Sequence, residues 1–310
     1  MPLFPFEPDH ALTAISIAYR NRRLIADEAM PRVPVGRMEF KYLEYDLRQA
    51  FTVPDTKVGR KSIPNEIVLD ATEKTSATED YALDDVVPVV DIQNAPRNHS
   101  PIDQATATLT DLILLDREIR VAGVIFAAAT YPAGNKVQLA GTDQWNDYAN
   151  STPIDDIAAG IDTPIIRPNT MVIGRQAFTK LAQHPDVVKA VHGNQGDKGF
   201  ARREAIAELF ELDKVLVGEG FHNIAKPGQA ANLQRVWGRH CSLLWLDPNF
   251  RSPTGGATFG FTAQYQSRIS GQMHEPKVGM RGSTRVRVGE SVREVVSASA
   301  LGYFIEDAVG

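Results

Sequence analysis

The sequence predicts an α+β fold, because helical and strand-like patterns occupy separate stretches of its 310 residues. Residues 101–129 carry apolar side chains at intervals of three and four, which is typical of one long helix. Residues 36–45 and the last sixty residues alternate polar and apolar side chains, as half-buried strands do. Between them, short helical and strand-like segments alternate from residue 150 onward, which indicates a second unit around a small sheet.

The first element is an N-terminal arm. Prolines at positions 2, 5 and 8 favour an extended approach rather than a buried segment. Residues 9–29 then carry apolar side chains at helical spacing, with Asp9 as the N-cap, and Pro31 ends the helix.

The second element is an extended loop at residues 36–95. Its first part, residues 37–45, has the alternation of a strand. Between residues 51 and 90 there are eight acidic and four basic side chains, three prolines and few large apolar residues. A stretch of this composition buries little surface by itself. We therefore expect a long β-hairpin that projects from the body and is stabilised by a neighbour.

The third element is a spine helix at residues 101–129. Ser100 and Pro101 form a good helix start, because serine caps the first turn and proline suits its first position. A coiled coil is disfavoured, because no other segment carries this repeat. The apolar stripe consists of Ile102, Ala105, Leu109, Leu112, Leu115, Ile119, Ala122, Phe126 and Ala129.

The remaining elements alternate and then become β-rich. We expect strands at residues 170–174, 214–217 and 241–246, with helices at 175–182 and 200–212 between them. In the C-terminal strands, Arg285 and Arg287 alternate with Val286 and Val288, so that one face is basic and the other is packed.

Composition and charge exclude several classes of protein. The 33 basic and 38 acidic residues give a net charge of −5, which argues against a dedicated nucleic-acid binder. The single cysteine, Cys241, excludes an intrachain disulfide and a multi-cysteine metal site, and favours synthesis in a reducing compartment. The most apolar window, residues 109–129, contains charged residues that argue against a membrane span. The histidines show no ligand spacing, so no metal or other cofactor is implied.

A search for catalytic residues leaves one weak alternative. Cys241 follows His240, but adjacent residues of a strand point to opposite faces, so this histidine would not activate the thiol. No Gly-x-Ser-x-Gly motif is present. We therefore expect no enzyme, and keep as the alternative a small α/β enzyme that uses Cys241 or the pair Asp155 and Asp156.

Two stretches and the order of elements resemble one known family. Residues 168–174 (PNTMVIG), followed by residues 181–187 (LAQHPDV), resemble a strand–helix unit, and residues 214–225 (KVLVGEGFHNIA) resemble the strand and loop after it. The chain resembles the major capsid proteins of tailed bacteriophages, which have the Hong Kong 97-type fold. The resemblance implies an N-terminal arm at 1–35 and an extended loop at 36–95. It also implies a peripheral domain at 96–144 and 251–310, with the spine helix, and an axial domain at 145–250.

The resemblance also implies a function and partners. The chain would assemble with itself into pentamers and hexamers of an icosahedral shell around double-stranded DNA, made in the host cytoplasm. A portal, and separate scaffolding or decoration proteins, would be further partners, DNA would be touched only nonspecifically, and no membrane is expected. An encapsulin-like shell around a protein cargo stays open as an alternative. We expect subunit contacts between the loop acids and the arginines of a neighbour, namely Glu66, Asp70, Glu73, Glu79 and Asp80 against Arg285 and Arg287.

Overall fold

The structure is a computed structural model that describes residues 10–13, 24–44, 53, 55–60, 62–63, 72–97, 99–193, 198–226 and 228–310. Residues 10–13 are helical. The further helices are α1 (Ala26–Ala29), α2 (Val89–Asn94), α3 (Pro101–Ile125), α4 (Pro153–Asp162), α5 (Arg175–Gln183), α6 (Pro185–His192) and α7 (Arg203–Leu209). The strands are β1 (Arg32–Val35), β2 (Glu39–Glu44), β3 (Thr72–Ala77), β4 (Glu79–Pro88), β5 (Lys136–Gln138), β6 (Thr170–Gly174), β7 (Lys214–Gly218), β8 (Phe221–Asn223), β9 (Leu233–Arg235), β10 (Cys241–Leu244), β11 (Gly260–Glu275), β12 (Ser283–Val296) and β13 (Gly302–Glu306).

The strands of the described residues form two larger sheets and two hairpins. The first sheet has the order β1-β11-β12-β4, in which β11, β12 and β4 are antiparallel and β1 runs parallel to β11. The second sheet has the order β5-β13-β10-β6-β7. It is mixed, since β10 is antiparallel to β13 and β6, whereas the outer pairs β5-β13 and β6-β7 are parallel. Strands β2 and β3 pair in an antiparallel hairpin, as do β8 and β9.

Helix α3 begins where the sequence predicts and ends four residues earlier. The Ser100 hydroxyl accepts a hydrogen bond from the Asp103 N–H at 3.3 Å, and Pro101 takes the first helical position. At the other end, the hydroxyls of Thr130 and Tyr131 donate to the carbonyls of residues 124 and 125, each at 2.8 Å. These hydroxyls satisfy carbonyl groups of the last turn, so the helix stops at residue 125 rather than 129.

The packed face of α3 differs from the predicted stripe. Buried residues recur four apart, from Ala105 through Leu109 and Ile113 to Val121 and Ile125. Two members of the predicted stripe lie on the other side of the helix, where Leu112 is 49% exposed and Ile119 is 37% exposed. The predicted stripe therefore includes residues of both the packed face and the exposed face of α3, because apolar side chains cover more than half of this helix.

Two expectations for the N-terminal third need correction. The predicted helix 9–29 is not continuous, because residues 24 and 25 are not helical; residues 14–23 lie outside the described residues. Strand β4 pairs with β12 and belongs to the first sheet, so the hairpin that projects is built from β2 and β3 alone. The C-terminal part of the predicted loop, residues 79–95, thus lies on the body.

The second sheet separates two hydrophobic clusters. Met171 and Ile173 point to the side covered by α4 to α7, where Phe178 packs. Val172, between them, points to the other side and packs in a cluster with Ile125 at the end of α3. The amino-terminal half of α3 packs on the first sheet, against residues of β4 and β12. Because α3 contacts both sheets, it holds the two parts of the chain together.

Candidate functional site

The hairpin of β2 and β3 is anchored at its base. Phe40 is 8% exposed and packs in a cluster with Val33 and Phe261, and the Tyr42 ring meets the Phe261 ring edge-on at 6.5 Å. Lys41, between these two aromatic residues, forms an exposed ion pair with Glu73 at 2.8 Å. Packing against the body therefore fixes the position of the hairpin's base. The Lys41–Glu73 pair of the hairpin faces solvent in a single chain.

Three apolar side chains among the described residues of the loop beyond β2 are exposed. Val53 is 81% exposed, Ile63 is 87% exposed and Val58 is 47% exposed. Each exposed side chain of this size forgoes about 1.5–3 kcal/mol of transfer free energy. These residues become buried only if another molecule covers the loop.

Arg285 and Arg287, the arginines that the sequence assigns to a subunit contact, bind a carboxylate of their own chain. Arg287 donates from Nε and Nη2 to the two carboxylate oxygens of Asp84, at 2.6 and 2.7 Å. Arg285 donates to the same carboxylate at 3.3 Å and to Glu275 at 3.3 Å. The hydrogen bond from Arg287 lowers the pKa of Asp84. The register of β4 on β12, with residue 84 opposite residue 287, brings the Asp84 carboxylate between the two guanidiniums, an arrangement that we call the Asp84 fork.

The predicted loop acids are distributed over several places. Glu73 pairs with Lys41, Glu79 forms an ion pair with Arg293, and Asp80 accepts a hydrogen bond from Ser291, all within one chain. Glu66 and Asp70 lie outside the described residues. The three described acids thus do not meet Arg285 or Arg287 within one chain, and a contact with a neighbour stays a prediction.

A buried carboxylate that the sequence analysis missed anchors the residues from which the arm extends. We call residues 24–31 the arm root. Glu118 of α3 is completely buried and accepts hydrogen bonds from the N–H groups of Ile25 and Ala26, at 2.9 and 2.7 Å, and from Trp237 Nε1. It thereby occupies the amino end of α1 and joins α3, the arm root and the loop before β10. Burial raises the pKa of Glu118, opposed by these donors.

The neighbouring guanidinium extends this junction to the first sheet. Arg117 is 1% exposed; it pairs with Asp27 and donates to the Met30 carbonyl and the Thr262 hydroxyl, each at 3.0 Å. Although partial burial favours the neutral acid, the guanidiniums of Arg117 and Arg32 lower the pKa of Asp27 to about 2. Asp27 therefore stays ionised at neutral pH.

A second buried acid completes the junction on β12. Glu290 has no exposed side-chain surface and lies between the guanidiniums of Arg32, at 2.9 Å, and Arg268, at 3.1 Å. Burial opposes its ionisation, but the two arginines lower its pKa. The signal for the junction was visible as Arg117 and Glu118 within an apolar helix, although spacing alone does not say which charges of a helix are buried.

A groove beside the edge of the second sheet holds charges of both signs. It has a volume of about 660 Å³ and lies between β7, α5 and the arm root. Arg175 pairs with Glu219 at 3.2 Å, and Lys214 lies 3.9 Å from Glu28 across the groove. Since these charges neutralise one another in pairs, the groove presents no concentrated charge to a ligand.

The residues considered for catalysis are buried or hydrogen-bonded within the fold. Cys241 is completely buried in β10, and burial raises the pKa of its thiol, so the nucleophilic thiolate is disfavoured. His240 Nδ1 accepts a hydrogen bond from the Asp307 N–H at 2.9 Å, and Asp156 accepts one from Trp145 Nε1 at 2.9 Å. No described helix is long and apolar enough to cross a bilayer.

Comparison with known proteins identifies relatives over nearly the whole chain. The sequence is 52% identical over 305 residues to the major capsid protein of Pseudomonas phage JBD67, covering 98% of each chain. It is 29% identical over 245 residues to the major capsid protein of Burkholderia phage BcepMu, covering 77% of this chain and 76% of that one. No family model matches the sequence.

Solved structures share the arrangement of elements. A phage-related protein from Bordetella bronchiseptica RB50 matches with a TM-score of 0.75 at 19% identity, covering 98% of this chain and 99% of that one. The capsid structure of cyanophage P-SCSP1u matches with a TM-score of 0.60 at 10% identity, covering 99% and 92%. The fold is therefore that of the Hong Kong 97-type capsid proteins.

The hairpin that extends from the body, the anchored arm root and the capsid fold describe a subunit of a protein shell. With a relative at 52% identity over almost its full length, the chain belongs to the major capsid proteins of bacteriophages. It is a structural component of the virion and assembles with itself into the capsid. The predicted fold class and function are thus confirmed.

Proposed function

We propose that the chain forms pentamers and hexamers, and that these build an icosahedral shell around double-stranded DNA. The observation that carries this proposal is the exposure of the loop in a single chain, with Val53 at 81% and Ile63 at 87%. An exposed apolar segment on an anchored hairpin suits a subunit that is completed by its neighbours. The loop lies over the adjacent subunit, and the N-terminal arm contacts others.

The division of labour among the parts follows from this arrangement. Residues 1–35 act as the arm, and residues 36–95 include the extended loop, of which residues 79–95 lie on the body. Residues 96–144 and 251–310 form the peripheral domain with the spine helix, which supports the loop. Residues 145–250 form the axial domain around β6, β7 and β10, and β5 and β13 from outside this range complete the second sheet. The packing of α3 on both sheets supports one rigid body from which the arm and the loop project.

The charged contacts between subunits involve the loop acids, including Glu66 and Asp70. Arg285 and Arg287 each carry five N–H donors, so a carboxylate of a neighbour can add to the one that Asp84 provides. Such a contact joins an existing ion pair instead of neutralising an isolated charge. Its contribution is therefore modest, about 0–1 kcal/mol for each exposed pair.

Other components of the virion complete the proposal. A portal, and separate scaffolding or decoration proteins, would contact the shell, and synthesis would take place in the host cytoplasm. The net charge of −5 favours only nonspecific contact with the packaged DNA. Co-purification of particles from infected cells, followed by mass spectrometry of the associated proteins, tests these partners.

The test of the proposed assembly is a variant in which residues 45–71 are replaced by a short glycine-rich turn that rejoins β2 to β3. The full chain should give closed particles by negative-stain electron microscopy, and the shortened chain should stay in small oligomers with an unchanged circular dichroism spectrum. A matched control replaces residues 225–231, between β8 and β9, by a turn. Particles of normal size from the loop-shortened chain would contradict the proposal.

The cargo is measured on the same particles. Nuclease-resistant DNA inside particles from infected cells supports the head of a phage. A protein cargo without DNA would instead favour an encapsulin-like compartment.

A further inference from the structure

The outward face of α3 carries an apolar stripe that the packing of a single chain leaves uncovered. We call Leu112, Leu115 and Ile119 the outer stripe. Leu112 is 49% exposed, Ile119 is 37% exposed, and Leu115 between them is half-buried. A Cβ added at Gly123, one turn beyond the stripe, would meet no atom within 4 Å, so the space along the helix is open.

The turn between β11 and β12 presents a second apolar group to solvent. We call residues 276–282 the tip. Met280 in this turn is 95% exposed and Val278 is 40% exposed. The backbone on either side of Met280 is held in the left-handed region by Gly279 and Gly282, with φ of 76° and 77°. The Ser283 hydroxyl donates to the Val278 carbonyl at 3.0 Å, which closes the turn.

The conformation of the tip therefore holds Met280 outward. Glycine adopts a positive φ without strain, so this turn is favoured in the free chain as well. A turn whose backbone is already ordered loses less conformational entropy on binding than a mobile loop. Methionine is also unbranched and adapts its shape to an apolar surface.

The charges beside the two surfaces are complementary. Lys277 and Arg281 flank Met280 and are exposed. Asp111 and Asp116 lie next to the outer stripe on α3, and Asp116 also pairs with Arg120 of the same helix. A basic apolar tip thus matches an acidic apolar stripe in the sign of its charges.

We propose that the tip of one copy packs on the outer stripe of a second copy, with Met280 against Leu112 and Ile119. This inference rests on the proposed assembly and adds a specific contact to it. The two surfaces are different parts of each chain, so the contact is heterologous. Repetition of a heterologous contact closes into a ring when the rotation between copies permits it.

The experiment is disulfide trapping in purified particles of the double variant Met280→Cys and Leu112→Cys. The native Cys241 is completely buried, so it does not compete for oxidation. On mild oxidation, most chains should move from the monomer band to a ladder of higher bands on a non-reducing gel, and reduction should reverse this. The matched control pairs Met280→Cys with Ile165→Cys, an equally exposed site on another part of the chain.

The outcomes distinguish failure of the contact between the tip and the outer stripe from failure of the proposed shell. A reducible ladder only in the Leu112 variant supports the contact. Normal particles without a ladder, or with the same ladder in the control, would overturn the contact and leave the shell intact. If the parent chain itself formed no particle, both proposals would be overturned.

A second measurement does not depend on cysteine chemistry. Met280→Gln should reduce the particle yield at least tenfold, whereas Met280→Leu should keep most of it. Because Met280 is 95% exposed, both variants should unfold at the same urea concentration as the parent chain. Equal particle yields from the two variants would contradict the contact.

Discussion

Replacement of Glu118 by alanine tests how firmly the arm root is attached to α3. The carboxylate accepts hydrogen bonds from Ile25 N–H, Ala26 N–H and Trp237 Nε1 in a completely buried position. Alanine leaves three buried donors without an acceptor, and each unsatisfied donor costs about 1–3 kcal/mol. The carboxylate itself is costly to bury, which offsets part of that sum. We expect a net loss of about 3–5 kcal/mol in the free energy of unfolding.

The milder change Glu118→Gln separates charge from hydrogen bonding. The glutamine oxygen can accept from two donors, while its NH₂ group faces the third, so we expect a loss of about 1–3 kcal/mol. Urea titration of dilute subunits, followed by tryptophan fluorescence, measures both variants. The order of stability should be the parent chain, then glutamine, then alanine.

Hydrogen exchange shows where this loss is located. The amide protons of Ile25 and Ala26 bond to Glu118, so they should exchange much faster in both variants. Peptides from β10, in the middle of the second sheet, serve as the internal control and should keep their protection under native conditions. If residues 25 and 26 keep their protection in Glu118→Ala, or if stability changes by less than about 0.5 kcal/mol, Glu118 does not anchor the arm root.

A buried histidine, two glycines and the Asp84 fork allow three further tests. Burial lowers the pKa of His184 below its usual value of 6.5, so the unfolded chain takes up the proton first and stability should fall as the pH drops below 6.5. Urea midpoints at a series of pH values should show this slope, and His184→Asn should flatten it; an unchanged slope refutes the assignment. Gly218→Ala would press a Cβ into the Trp237 indole and should cost about 1–3 kcal/mol, whereas Gly123→Ala, in open space on α3, should gain about 0.5–1 kcal/mol. Thermal melting of the two variants measures the difference, and shifts of the same sign would contradict it. Arg287→Glu should reduce the particle yield, because it breaks the pair with Asp84, and adding Asp84→Arg should restore the yield by re-forming the pair with reversed charges. If the double variant keeps its fold by circular dichroism but its particle yield stays low, Arg287 acts instead through an acid of a neighbouring subunit.

Local patterns were sufficient where neighbouring residues decide the structure. The start of α3 follows from Ser100 and Pro101, because a helix cap depends on the residues of a single turn. The alternation of Arg285 and Arg287 with Val286 and Val288 identified the faces of β12, since side chains of a strand alternate in any sheet. The same kind of evidence, together with the order of elements, supported the capsid resemblance.

The buried side of α3 required the tertiary structure. Its sequence carries apolar residues around more than half of the helix, so periodicity did not distinguish the packed face from the outer stripe. Leu112 and Ile119 therefore appeared as core residues, whereas Arg117 and Glu118 are buried in their place. These two charges are tolerated because partners from the arm root and from β11 reach them, and Glu118 lies 92 residues from Ala26 along the chain.

The sequence by itself determined the kinds and the order of most elements, because these depend on local propensity and on patterns within single segments. Its resemblance to the phage capsid proteins indicated the class of protein. Only the tertiary structure decided that β4 joins β12, that Asp84 binds Arg285 and Arg287, and that a buried carboxylate holds the arm root. Each of these depends on strand register or on contacts between residues far apart in sequence. Such contacts are set by which surfaces are buried together, a property of the whole chain and not of any one segment.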